Sequence, residues 1–343
     1  MSYQERQTKK RKTGHNDGGR SEQRSFKPSP HFAPRNAGRD WTVSVAIPSS
    51  ILANLATADQ RMSIPGRIAR ALSIFSVDEV VIFDDSAPAT RPRASDPAAY
   101  TGDTDPCHFL SHIFSYLEAP PFMRKALFPL HPNLRLTALL PTLDMPHHPH
   151  PKESLEYAEG VTIKGKTSTG AGTLVEVGLE QPVEVQDKIP PSTRVTLKFS
   201  EDEAENPKCV HPDAPRTEGG YYWGYNVRKC GSLSAVFTES PYENGYDISI
   251  GTSERGTPAA RAFPYGKKVI FKHLLIVFGG HRGLEYASMN DEDLNGMDVQ
   301  GPKTRELFDH WVNVLPDQGS RAIRTEEAVL IALTALRHIW YSD

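Results

Sequence analysis

The stretch 310-HWVNVLPDQGSRAIRTEEAVLIALTAL-336 sets the terms on which the rest of the chain must fold. Trp311 to Leu315 is a short apolar run without two-residue alternation, so it reads as a strand covered on both faces. Pro316, Asp317, Gln318, Gly319 and Ser320 cannot extend that strand and bring small side chains and free backbone N–H groups to one place. Thr325 then offers an N-cap oxygen, Glu326 and Glu327 put negative charge into the first helical turn, and an almost wholly apolar helix runs to Leu336. A helix apolar all round must be buried, in a core or under a second subunit. A polar loop thus sits at the C-terminal end of a buried strand, which is where open α/β sheets bind ligands.

The segment 272-KHLLIVFGGHRGLE-285 repeats the plan. An apolar run, Leu274 to Phe278, enters a tight loop with Gly279, Gly280 and Gly283, whose glycines allow close backbone approach to a ligand. The strand in 247-DISIGTSERG-256 ends in Ser253, Glu254 and Arg255, a third transition from strand to polar loop. An ordinary αβ turn is the competing reading for either glycine-bearing loop alone. Three such loops imply one shared rim.

The length, 343 residues, is that of two domains or of one domain with insertions and tails. Charge is unevenly placed. Residues 1–40 hold ten Lys/Arg and four acids, a surplus of six, which leaves the remainder at −9 within a net −3. That tail has too little apolar surface to order itself. Its cluster Lys9, Lys10, Arg11 and Lys12 reads as a nuclear-import signal or a phosphate-seeking arm, against the plainer reading of a solvated run. Cys107, Cys209 and Cys230 are far apart and odd in number, so they indicate neither a disulfide framework nor a zinc site, and the expected compartment is reducing. No apolar run approaches the roughly 20 residues of a membrane span.

From Trp41 the pattern is αβ. The run 41-WTVSVAI-47 is a strand, Ser49 and Ser50 can cap a helix to about Ala58, 66-GRIARALSIF-75 has helical spacing, and 78-DEVVIFD-84 is a second buried strand. Strand, helix, strand in this span signals a parallel sheet. Residues 85–106 read as a flexible insertion and 107–128 as two helices broken at Pro120 and Pro121. From about Leu143 short alternating strands, 161-VTIKGK-166, 172-GTLVEVGL-179 and 194-RVTLKF-199, suggest a small antiparallel barrel inserted into the α/β domain. The acidic loop 200-SEDEAENP-207 would repel a phosphate backbone. The α/β texture resumes at 221-YYWGYNVRKC-230 and the short helix 232-SLSAVFTES-240. Along that run Trp223 and Tyr225 alternate as on a buried strand face, so burial competes with nucleic-acid stacking for these aromatics. His147 and His148 lie among prolines with no acid or Cys at ligand spacing, so they mark a domain junction and no metal is expected.

Taken together, 41-WTVSVAIPSSIL-52, 67-RIARALSIFSVDEVVIFDD-85, 144-DMPHH-148, 222-YWGYNVR-228, 248-ISIGTSERG-256, 276-IVFGGHRGLE-285 and 313-NVLPDQGSRAIRTEEA-328 resemble the SPOUT, or α/β-knot, RNA methyltransferases, in the eukaryotic and archaeal branch that carries an inserted OB-like barrel. Gly319, Arg321, Ile323, Arg324, Thr325, Glu326 and Ala328 also resemble the G-x-R-x-[IL]-R-T-E-x-A signature of bacterial members that methylate N3 of uridine in ribosomal RNA. The resemblance implies an α/β fold: a SPOUT trefoil-knot parallel sheet with a small antiparallel β-barrel inserted and a disordered basic N-terminal tail. The division that follows is tail 1–40, first SPOUT part 41–142, OB-like insertion 143–218, and second SPOUT part with the knot 219–343.

It further implies that S-adenosyl-L-methionine lies among the knot loops, touching Gly279, Gly280, Gly283, Leu284, Leu315, Pro316, Gln318, Gly319, Ser320, Ile323 and Arg324. Two subunits, alike or paralogous, are expected to form the site. The first strand lacks the G-x-G-x-x-G of a Rossmann methyltransferase. His281 and Arg282 depart from the family's less charged pattern. The expected chemistry is methyl transfer to RNA, ribosomal by the shorter likeness, in a nuclear or nucleolar setting, with no DNA or membrane partner. Glu326 or Glu327 would act as base and Arg255 and Arg324 would orient the acceptor or stabilise its anion. Charge matching at a helix N-terminus is the competing reading for the glutamates, and an ion pair for Arg324. A non-catalytic knotted assembly factor, or a spindle or kinetochore partner, is the alternative.

Overall fold

The apolar runs become two sheets. The structure is a computed structural model that describes residues 38–92, 99–148, 155–167, 170, 172–200 and 207–341. The tail through residue 37 and most of the acidic loop, 201–206, lie outside the described residues. In chain order the strands are β1 (Thr42–Pro48), β2 (Glu79–Phe83), β3 (Tyr157–Ile163), β4 (Thr173–Glu176), β5 (Val183–Val185), β6 (Arg194–Lys198), β7 (Lys208–Val210), β8 (Asn226–Cys230), β9 (Ile248–Pro258), β10 (His273–Val277) and β11 (His310–Asn313). Six form a parallel sheet in the order β11-β9-β10-β1-β2-β8, and five form an antiparallel sheet in the order β5-β4-β3-β6-β7. The second sheet enters the chain between β2 and β8, which pair with each other.

Alternation is missing from the central strands because both faces of the parallel sheet are covered. Val43, Val45 and Ile47 of β1, Val80 and Ile82 of β2, and Leu274 and Ile276 of β10 pack in one core with the helices Ala58–Ile74, Pro106–Glu118 and Thr325–Leu336. Ala46, Val81, Phe83, Leu275 and Val277, on the opposite face, pack in a second core with the helices Leu233–Thr238, Gly283–Met289 and Glu292–Gly296. The antiparallel sheet has its own smaller core of Val175, Val177, Val185, Leu197 and Phe199. There β3 and β4 approach closely at Gly160, where a Cβ would meet Val175 Cγ1 at 2.4 Å.

Several expectations change. Ser49 and Ser50 start only a 3-10 turn to Leu52, because their hydroxyls turn to Asp84 and Asp85; the following helix begins at Ala58, capped by Thr57. Tyr221 to Tyr225 is not strand. Gly224 takes a left-handed turn (φ +85°) there, and Tyr221 and Tyr225 are buried in packing, with Trp223 donating to Glu159. Strand β9 does not end at Ser253. Its pairing with β11 passes from Gly251 to Thr257, so residues 252–256 bulge out and the ladder then resumes. Nor is the helix Thr325–Leu336 buried on all sides, since Glu327, Leu330 and Thr334 face outward, with Leu330 46% exposed. Arg39, assigned to the tail from composition, is buried and forks onto Asp78 at 2.8 and 2.5 Å.

Candidate active site

Parallel strands deliver their connecting turns to one edge, and at the C-terminal edge of this sheet three turns meet. They are the β9 bulge 252–256, the turn 278–282 after β10, and the loop 314–324 after β11. Side chains tie them together. Thr252 Oγ1 donates to the Val277 carbonyl (3.0 Å), Asn313 Nδ2 to the Glu254 carbonyl (2.8 Å), and Thr325 Oγ1 to the Gly279 carbonyl (3.0 Å). Arg255 pairs with Glu285 at 3.4 Å. Thr325 therefore does not cap its helix. The N-cap is Arg324, whose backbone N–H donates to Glu327 Oε2 at 3.0 Å.

The turn after β10 leaves no room for a side chain at Gly279 or Gly280. A Cβ on Gly279 would lie 2.8 Å from Leu284 N, and one on Gly280 would lie 2.1 Å from Ser50 Oγ. Gly283 closes the turn with a hydrogen bond from its N–H to the Gly280 carbonyl (2.9 Å) at φ +78°, which a Cβ would strain. Leu284 is buried in the second core, so toward a ligand it offers backbone. In the loop 314–324, Leu315 is 39% exposed, Pro316, Gly319, Ser320 and Arg324 are exposed, and Gln318 and Ile323 are half-buried. Among the described residues the backbone N–H groups from Gln318 to Ile323 have no hydrogen-bond partner, and nothing lies within 4 Å of a Cβ built on Gly319. The loop is open and rich in unused donors.

The proposed charged residues separate. Glu327 is exposed and is consumed in capping, as the competing reading held. Glu326 is 7% exposed and its Oε1 has no hydrogen-bond partner in the structure. An orphaned buried carboxylate oxygen is costly and calls for a ligand, an ion or a role. Arg255 is 71% exposed in its side chain and Arg324 is also exposed.

Sequence reading missed what lies under the glycine turn. Asp85, 1% exposed just past β2, accepts from Ser50 Oγ (2.5 Å) and Ser50 N–H (3.0 Å), directly behind Gly280. Burial raises the Asp85 carboxyl above its ordinary pKa, with the Ser50 hydrogen bonds opposing. The signal was present as an acid at the end of a buried strand in 78-DEVVIFDD-85, but its partner lies 35 residues away.

The opposite, N-terminal edge holds a cavity of about 640 Å³ between the sheets, lined by Asp78, Glu79, Glu118, Glu159, Arg194 and Trp223 among others. Cavity size alone would make it the candidate. Its charges, however, are matched: Asp78 by Arg39, Glu79 by Arg228 (2.9 Å), Glu118 by Arg194 (2.5 Å) and His147 (2.9 Å), and Glu159 by Arg194 (2.6 Å). Burial pushes the Glu118 carboxyl up, but Arg194 and His147 overcome it and hold it well below the usual carboxylate range. Both His147 and His148 direct Nε2 to the Glu118 carbonyl (3.0 and 2.8 Å). Among the described residues no group of three or more metal-ligating side chains is assembled.

Residues 42–336 match a family model described as "Putative RNA methyltransferase". Over 309 residues the chain is 42% identical to a 28S rRNA (uridine-N(3))-methyltransferase of Mus musculus, spanning 88% of this chain and 77% of that one. It is 41% identical over 305 residues to the 28S rRNA (uridine-N(3))-methyltransferase of Homo sapiens, spanning 88% and 79%.

Proposed function

The chain belongs to this RNA methyltransferase family, and we propose that it transfers a methyl group from S-adenosylmethionine to N3 of a uridine in ribosomal RNA. The observation that carries the reading is the joint at Thr325, which binds the loop 314–324 to Gly279 and leaves beside it a buried carboxylate oxygen with no partner. The residues fit such a donor. Unused N–H groups from Gln318 to Ile323 suit a polar heterocycle edge, the space over Gly319 is open, and Leu315 and Ile323 offer apolar walls. When bound, the donor supplies an electrophilic methyl carbon on a sulfonium.

The chain's own residues do the rest. Glu326, whose Oε1 has no partner among the described residues, takes the proton from uridine N3. Arg324 and Arg255 stabilise the resulting anion, spread over the flanking carbonyl oxygens of the base. With the donor held by the loop 314–324, the freed N3 lone pair would accept its methyl carbon, the sulfur departing as a thioether. Loop and turn hold acceptor and donor in line, so proximity contributes alongside acid–base chemistry.

On the same reading the C-terminal segment is threaded as a trefoil knot. In support, β11 lies at the outer edge of the sheet, yet the helix that follows packs against the helix Ala58–Ile74, so the loop between must cross the ends of β9 and β10. The antiparallel sheet acts as an OB-like RNA-binding module inserted between the two parts of the catalytic domain, with the basic tail as tether. Exposed Leu330 on the helix after the loop supports a second subunit there. The Lys9–Lys12 cluster supports a nuclear, nucleolar setting.

The test is incubation of the full chain with methyl-labelled S-adenosylmethionine and ribosomal RNA, with the product nucleoside identified by mass spectrometry. The expected product is 3-methyluridine, and Glu326→Gln lowers the rate by about 10²–10⁴-fold. No transfer would favour a scaffold that only holds RNA, and an unaltered rate in Glu326→Gln would remove it as the base.

A further inference from the structure

The structure assigns Arg282 and Tyr286 to a stacking ledge that receives a nucleobase of the RNA strand beside the target nucleotide. The inference rests on the function proposed above but uses different residues. Arg282 is the last residue of the glycine turn and Tyr286 is one helical turn on, so the two side chains share a face. The guanidinium carbon lies 3.7 Å from the tyrosine ring centroid, a stacking separation.

Two further facts make this pair available. Glu285, the nearest acid in sequence, is engaged by Arg255 at 3.4 Å. Among the described residues Arg282 itself has neither a hydrogen bond nor an ion pair. Its outer face is exposed. A guanidinium laid flat on an aromatic ring presents a second flat, cationic face outward, while its N–H groups point sideways in the plane. A nucleobase meets both demands at once, stacking on the face while its phosphate takes the edge. A lone carboxylate or phosphate would use only the edge.

Charge argues for RNA at this point too. Outside residues 1–40 the chain carries −9, yet Arg255, Arg282, Arg321 and Arg324 gather on the turns of this one rim. The departure of His281 and Arg282 from the less charged pattern then has a use, adding a cation and a flat surface where the strand enters.

The test measures binding of a fluorescent oligouridylate by anisotropy, and of S-adenosylmethionine by calorimetry, in Arg282→Ala, Arg282→Lys, Tyr286→Leu and Tyr286→Phe. Arg282→Ala and Tyr286→Leu are expected to weaken oligouridylate binding by about 5- to 100-fold, the range of a single base stack. Arg282→Lys should lose most of that affinity while keeping the salt dependence, and Tyr286→Phe should bind like the wild type. Donor affinity should stay constant in all four. Wild-type binding by Arg282→Lys would reduce the pair to simple charge and overturn the ledge. A fall in donor affinity in Arg282→Ala would assign the arginine to the donor and overturn it equally. Methyl transfer by the unaltered chain is scored separately, so a wild type that binds RNA in this pattern without transferring methyl sinks the enzymatic reading and leaves the ledge standing.

Discussion

The two edges of the parallel sheet carry similar residue types in opposite states. At the N-terminal edge the acids Asp78, Glu79, Glu118 and Glu159 are buried and each faces an arginine. At the C-terminal edge the arginines are exposed, and among the described residues neither the N–H groups from Gln318 to Ile323 nor Glu326 Oε1 has a partner. A cavity whose charges are already matched is an interface between two sheets. An edge with unspent donors is the one we propose a ligand completes, even though a hollow of about 640 Å³ lies at the other end.

The contrast breaks most visibly by removing one charge from each edge. Glu118→Ala removes a buried carboxylate bonded to Arg194, which keeps Glu159 and is 34% exposed, and to the buried His147; loss of such charge-assisted hydrogen bonds costs about 1.5–3 kcal/mol, read as a lower denaturant midpoint. Arg255→Ala, from an exposed pair, should cost less than about 1 kcal/mol while lowering methyl transfer. Equal losses of stability would erase the distinction between the edges.

Acid sharpens it further. Burial, with His147 adding repulsion, holds His148 neutral down to about 3, and burial with His131 and His108 does the same for His112 down to about 4, against 6.5 for either in an unfolded chain. Below 6.5 the unfolded state therefore binds protons that the folded state refuses, so stability is complete above that pH and falls as pH drops toward 4. Glu118, depressed in the folded state, adds its loss at the carboxylate end of the same limb. His148→Gln should flatten the upper part of the fall in urea midpoints, and a midpoint constant from neutral pH to 4.5 would contradict the assignment.

The smallest effect concerns the tail. Deleting residues 1–37, which spares the buried Arg39 fork on Asp78, should make the salt dependence of RNA affinity shallower, by about 0.7 in slope for each phosphate that the tail had neutralised. An unchanged slope would take the tail out of binding.

What sequence could disclose follows from the range of the interactions. Strands β1, β2 and β10 were legible because burial on both faces writes itself as an unbroken apolar run, and the helix Thr325–Leu336 because an apolar run with acids in its first turn is a local signal. The glycine and proline content of 278–283 and 314–320 located two of the three turns, and the shared motifs pointed to the family. The bulge in β9 was not legible, since it is imposed by pairing with β11 some 55 residues on. Ser50 and Asp85 behind Gly280 were missed for the same reason, and Thr325 was misread because its hydroxyl is drawn to Gly279 rather than to its own helix. Tyr221 to Tyr225 looked like a strand because aromatic alternation also arises in a packed turn.

Gly319 offers the most direct measurement, because a Cβ there meets nothing within 4 Å and a bulky side chain can be added without disturbing the fold. Calorimetry of S-adenosylmethionine with the wild type and with Gly319→Trp should show binding in the first and at least a roughly 100-fold loss in the second, at unchanged melting temperature. Equal donor affinity in the two proteins would mean that the methyl donor binds somewhere other than this edge.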